Sequence, residues 1–210
     1  MTDSGSRRLL DFVGSNDDAG IAGFVRLELR ADEKIAWYWT YLVGVPGVEG
    51  VLVVRDHEVL LPTQGLEIRA DGLWAEMVCE TPREHWTFGL EAFGVRLDSP
   101  EEALRPGGEI GDRTAVGLDI EWEVGADGPP AGTVHGDVLV GRARHPIDGP
   151  GWFYDAGTPD PGWIDGEVVA TVHIPLDGRS VERRLVRTDA GLRWALDRRV
   201  NPRGAHGKSS

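Results

Sequence analysis

The chain has a single cysteine, Cys79, so it cannot form an internal disulfide, and the thiol sits where a small apolar residue would fit, which predicts a buried structural role. Basic residues are also scarce: 22 Lys and Arg stand against 35 Asp and Glu, a formal net charge of −13. A surface of that sign repels phosphate backbones, which excludes nucleic acid as an expected partner. No apolar run approaches the roughly 20 residues that span a bilayer, and no basic start followed by an apolar core follows Met1. The expectation is a cytoplasmic protein with no membrane span.

Chemical motifs are missing as well. There is no glycine-rich loop ending in Lys-Ser or Lys-Thr, no strand–GxGxxG–helix unit and no GxSxG elbow. The histidines, His57, His85, His135, His145, His173 and His206, include no HxH or HxxxH pair, so no local spacing announces a metal. Neither a metal nor a cofactor is expected. Helix signals are nearly absent: only Asp98 to Leu104, with a capping residue, Pro100 in the first turn and acids near the start, reads as a short helical turn.

What the sequence has is alternation. Val25, Leu27 and Leu29 oppose Arg26, Glu28 and Arg30, and Val116, Leu118, Ile120, Trp122 and Val124 oppose Asp119, Glu121 and Glu123. Both patterns are those of half-buried strands. The three carboxylates spaced by two read as a solvated outer face, because calcium sites usually draw their ligands from a bent loop. Lys34 to Gly44 is apolar on both faces and predicts a central strand. Val51 to Arg55 and Glu58 to Leu61 read as short strands around Asp56-His57, and Asp71-Gly72 as a tight hairpin loop. The fold class is all-β and antiparallel, a lipocalin-like barrel or two packed sheets with very little helix. Residues 1–20 are expected to be a loose arm docking at Leu9 to Val13, 21–200 a single domain, and 201–210 a disordered tail.

The stretch Leu73 to Leu97 gathers Trp74, Glu76, Cys79, His85, Trp86, Phe88, Glu91 and Phe93 around the turn Glu80-Thr81-Pro82. Alternation puts His85, Thr87, Gly89, Glu91 and Phe93 on one face and Trp86, Phe88, Leu90 and Ala92 on the other. A carboxylate among rings must be paired or hold its proton, so Glu91, His85 and Glu76 are the candidates for proton transfer. Trp37, Trp39 and Tyr41 share one face of their strand and read either as packed sheet core or as the lining of a cavity with Trp74, Trp86 and Phe88. The aromatic loop holding Trp152, Tyr154 and Trp163 is a further ligand candidate, as a hydrophobic rim or a stacking platform for carbohydrate.

Leu73 to Leu97, and Val134-His135-Gly136-Asp137-Val138-Leu139-Val140-Gly141 followed by His145-Pro146-Ile147-Asp148-Gly149-Pro150-Gly151, resemble the lipocalin-like superfamily of carotenoid 1,2-hydratases (hydroxyneurosporene synthases) and AttH-type proteins. The resemblance implies lipocalin-like β modules and lipophilic substrates, with hydratases and pericyclic cyclases among the members. Where many relatives carry an Arg-Asp-His-Ser-Trp-Gly motif, this chain reads Trp152-Phe153-Tyr154-Asp155-Ala156-Gly157. The acid–base histidine is therefore missing, and the cavity is what the resemblance carries over. The expected function is binding of a large hydrophobic small molecule, such as a polyene, isoprenoid, polyketide or acyl chain, either as a cofactor-free cyclase, isomerase or hydratase or as a non-catalytic carrier. A homodimer is left open.

Overall fold

The computed structural model describes residues 6–14, 20–99, 102, 111–155, 164–176 and 179–200. Among them run thirteen strands: β1 (Ser6–Val13), β2 (Ala22–Arg30), β3 (Ile35–Val43), β4 (Val51–Leu60), β5 (Glu67–Ala70), β6 (Leu73–Thr81), β7 (His85–Leu97), β8 (Arg113–Val124), β9 (Ala131–Val140), β10 (Ala143–Tyr154), β11 (Glu167–Leu176), β12 (Arg179–Thr188) and β13 (Gly191–Val200). The fold is all-β and antiparallel, as the alternation predicts. No helix of the described residues is long and apolar enough to cross a membrane.

Strands β1 to β10 meander through one sheet ordered β4-β3-β2-β1-β10-β9-β8-β7-β6-β5. The ring closes because β7 serves two partners along one edge. Its first part pairs with β6, from His85 opposite Thr81 to Ala92 opposite Leu73, and its last part pairs with β4, Val95 opposite Val53 and Leu97 opposite Val51. That double duty explains why β7 needs 13 residues. Strands β11, β12 and β13 form a separate three-stranded sheet.

Alternation decides what faces the barrel interior. Leu10, Phe12, Val25, Leu27, Tyr38, Leu52, Val54, Met77, Leu90, Leu118, Ile120, Val134 and Val138 join there in one buried cluster. At its centre Phe153 lies 4.7 Å from Trp86, 5.7 Å from Phe88 and 5.4 Å from Trp122, measured between ring centroids. Two glycines make room for the largest of these rings. Gly132 and Gly151 are register partners, and a Cβ on Gly132 would fall 2.5 Å from Trp122 Nε1. A Cβ on Gly151 would fall 2.2 Å from Val134 Cγ2. Burial of these inward side chains is so complete that the interior is a packed core.

A second apolar layer lies outside the barrel. Leu9, Phe24, Trp37, Trp39, Tyr41, Val53 and Tyr154 point outward from β1–β4 and β10, and cluster with Val172, Leu185 and Trp194 of the small sheet. Strand β3 is therefore covered on both faces, as its unbroken apolar run predicts. An ion pair crosses this layer: Arg183 Nη2 donates to Asp11 Oδ2 at 2.6 Å, with both side chains 1% exposed.

Three expectations change. Residues 6–13 are not a loose arm but strand β1, paired on both sides with β2 and β10. Leu10 and Phe12 fill the barrel while Leu9, Asp11 and Val13 enter the outer layer, so a strand covered twice shows no alternation to read. Asp56-His57 does not break a hairpin: β4 runs through it, and a register shift between Ala36 and Tyr38 absorbs the irregularity. Cys79 is exposed rather than buried, because β6 leaves regular pairing between Cys79 and Thr81 at its end. Most of the helical turn expected over 98–104, Trp163 and the tail 201–210 lie outside the described residues.

Candidate functional site

The sequence-derived residues do not gather in one cavity. Trp86 and Phe88 are core, inside the barrel. Trp37, Trp39 and Tyr41 belong to the outer apolar layer. Trp74 lies on the outer face of β6, where its Nε1 donates to Glu67 Oε1 at 3.0 Å. Its ring covers Gly89, where a Cβ would fall 2.9 Å from Trp74 Cη2. That bond and a second from Arg69 hold the Glu67 carboxyl below its ordinary range. Glu76 stands on the same outer face, half-buried. Trp152 lies under the Arg193 guanidinium at 4.6 Å, and Tyr154 is buried, so this pair offers no open stacking platform. Burial first, then the Asp11 charge, pushes the Tyr154 hydroxyl up to about 12 against the pull of Arg193 and Arg183.

Glu91 and His85 do share the outer face of β7, His85 at its start and Glu91 six residues further on. At the Glu91 end the surface opens into a groove of about 450 Å³ lined by Gly72, Glu91, Ala92, Phe93, Ala115, Val116, Gly117, Leu139 and Gly141. Register explains its shape. Glu91 sits opposite Gly117, which sits opposite Leu139, and Phe93 sits opposite Ala115. Small residues on β8 make the floor and longer ones on β7 and β9 make the walls. Phe93 and Leu139 remain 56% and 39% exposed, and Glu91 is the one titratable side chain in the lining. Exposed apolar side chains ringing a concave surface are the usual mark of a binding site.

Leu139, Ala115 and Gly117 were not among the residues singled out from the sequence, although signals exist. Val138-Leu139-Val140 breaks alternation by placing a leucine on an outward position. On β8 the outward series Ala115, Gly117, Asp119, Glu121, Glu123 changes from small to acidic.

A polar cluster elsewhere on the outer face carries its own consequence. His57 stacks on Trp37 at 4.9 Å and meets Trp39 at 5.1 Å. Burial, followed by the Arg55 and Arg30 charges, lowers its pKa to about 4. Below about pH 6.5 the unfolded chain takes up a proton that the folded chain refuses, so folding weakens as pH falls toward about 4 and this contribution then levels off. The urea midpoint should fall over that window, and His57→Gln should flatten part of the slope. Coincident slopes for parent and variant would show that His57 is not shielded.

No family profile matches the chain, and no solved structure matches it. A curated relative, one of the linear gramicidin synthase subunits of Brevibacillus parabrevis, is 26% identical over 99 residues, which is 47% of this chain and 2% of that protein. The chain thus spans a very small part of the length of the relative it matches.

Proposed function

We propose that the protein is a binding protein for a lipophilic small molecule with a cationic or hydrogen-bond-donating head, held in the groove across β7, β8 and β9. The observation that carries this reading is a concave surface of about 450 Å³ walled by Phe93 and Leu139, with Glu91 as its one charge. That volume falls within the range of roughly 300–1,000 Å³ typical of small-molecule sites. An acyl or isoprenoid chain would lie on Ala115 and Gly117 between the two apolar walls, with its head at Glu91. The reading keeps the lipophilic ligand that the lipocalin-like resemblance implies and moves it from the barrel interior to the barrel surface. It favours a carrier over a cyclase, isomerase or hydratase, because the groove presents Glu91 without a second titratable group to exchange a proton with it. The 2% coverage of the synthase leaves that protein's activity with that protein.

The test is a pair of probes of equal chain length, decylamine and decanoate, followed by amide chemical shifts. Decylamine should move the signals of Gly72, Phe93, Gly117 and Leu139 and should bind more tightly than decanoate. Glu91→Gln should weaken decylamine by about two- to five-fold, the scale of an exposed ion pair, and Ala115→Leu should abolish binding of both by filling the floor. Shifts centred instead on Trp86, Phe88 and Phe153 would return the ligand to the interior, and no saturable shift would end the proposal.

A further inference from the structure

At the other end of the same strands lies a second constellation. Gly117 and Glu121 are four residues apart on β8, about 13 Å along the strand, so the groove and this cluster are separate. His85 sits opposite Glu123 in the β7–β8 ladder, and Glu121 is the next outward residue of β8. One ligand atom from each of His85, Glu121 and Glu123 lies within 4.8 Å of the other two. We propose that His85, Glu121 and Glu123 form a site for a first-row divalent metal ion, with zinc the best match to the donor set.

Geometry supports this first. Three atoms no more than 4.8 Å apart all lie within about 2.8 Å of a common point, so modest side-chain torsions reach zinc bonds of about 2.0–2.2 Å. His85 Nε2 and Glu121 Oε2 are 3.3 Å apart. That is long for a charge-assisted hydrogen bond, which prefers about 2.7–2.9 Å. It matches the ligand-to-ligand edge of a tetrahedral zinc site, about 3.3–3.4 Å for the same bond lengths. One imidazole and two carboxylates suit zinc or its first-row neighbours, whereas calcium asks for six to eight oxygens.

Electrostatics supports it independently. Several acids elsewhere on this surface are matched with arginine, Asp137 with Arg144, Glu67 with Arg69, Glu28 with Arg26 and Arg30, and Glu167 with Arg187, while others such as Glu91 are not. Among the described residues Glu121 and Glu123 have no lysine or arginine partner, and His85 is the group set against them. Two like charges on adjacent outward positions of one strand repel, and a divalent cation removes that cost. One strand further on, His135 is the register partner of Glu121, and its Nδ1 lies 3.1 Å from Asp148 Oδ1. A carboxylate holding one ring nitrogen is how metal-site histidines are commonly oriented. A second imidazole therefore stands beside the proposed donors. Three protein donors leave one tetrahedral position for water or a ligand atom.

Cobalt(II) absorbance on full-length protein stripped with EDTA, followed by zinc competition, tests the site. One cobalt ion should bind per chain, and zinc should displace it. His85→Ala, Glu121→Gln and Glu123→Gln should each lower affinity at least tenfold while leaving tryptophan fluorescence unchanged, since all three side chains are partly or fully exposed. His206→Ala should have no effect. Binding that survives His85→Ala, binding lost with His206→Ala, or no stoichiometric binding at all would overturn the proposal.

Discussion

Asp11→Ala is expected to lower the free energy of unfolding by about 3–5 kcal/mol, the cost of removing one partner from a buried ion pair. Asp11 and Arg183 are each 1% exposed and meet at 2.6 Å. The guanidinium also lies 4.4 Å from the centre of the Phe24 ring and 5.6 Å from that of Trp194. Without the carboxylate, a full positive charge would remain between rings, where water cannot replace its partner. A loss of that size is a large fraction of the total stability of about 5–15 kcal/mol usual for a domain. Urea unfolding followed by tryptophan fluorescence measures it. The double variant Asp11→Ala, Arg183→Leu should recover most of the loss, because apolar replacement of a whole buried pair is often close to neutral. A single-variant loss below about 1 kcal/mol, the value of an exposed pair, would show that solvent reaches the layer between barrel and small sheet. A second readout follows from Tyr154. Asp11 helps to raise its pKa, so in Asp11→Ala the phenol should ionise at lower pH.

The same residue shows where the sequence stops being readable. Asp11 looks like a loop residue because its charge is local and its partner is not: Arg183 lies 172 positions away. Strand β8 was legible for the opposite reason. Its outward face meets solvent and its inward face meets the core, so Val116, Leu118, Ile120 and Trp122 alternate with Asp119, Glu121 and Glu123. Period-two patterning records one dry face and one wet face, and a stretch that is dry on both faces, such as Leu9 to Val13 of β1, shows no such period. The closure of the barrel is similarly hidden. It depends on β7 passing from β6 to β4 along one edge, which is a matter of register, and local pattern does not fix register between distant strands.

For the candidate site, alternation told which residues share a face but not which face looks into the barrel. His85, Glu91 and Phe93 were correctly set together and opposite Trp86 and Phe88. The structure turns the first set outward, so Glu91 enters a surface groove while the rings Trp86 and Phe88 pack in the core. The groove itself depends on what is missing at Ala115 and Gly117. Small residues send a weak signal in a search for titratable and aromatic groups.

Trp39→Ala separates the two readings of the aromatic row, and it is expected to cost about 3–5 kcal/mol of stability, as truncation of a buried tryptophan usually does. Trp39 is 0% exposed, with its ring 5.7 Å from Trp37 at 83° and the Arg26 guanidinium 5.1 Å above it. It shares its layer with Phe24, Tyr41 and Trp194, which are fixed by strand pairing on either side of the gap. Backbones held in ladders cannot collapse far into a vacated volume, so the cavity term should persist. Trp39→Phe keeps most of the ring and should cost well under half as much. Decylamine affinity at the groove should be unchanged in the folded fraction of either variant, because Trp39 is absent from the groove lining. A Trp39→Ala protein as stable as the parent, yet unable to bind a lipophilic probe, would show that the row lines a ligand site and that the apolar layer beneath β11–β13 is not core.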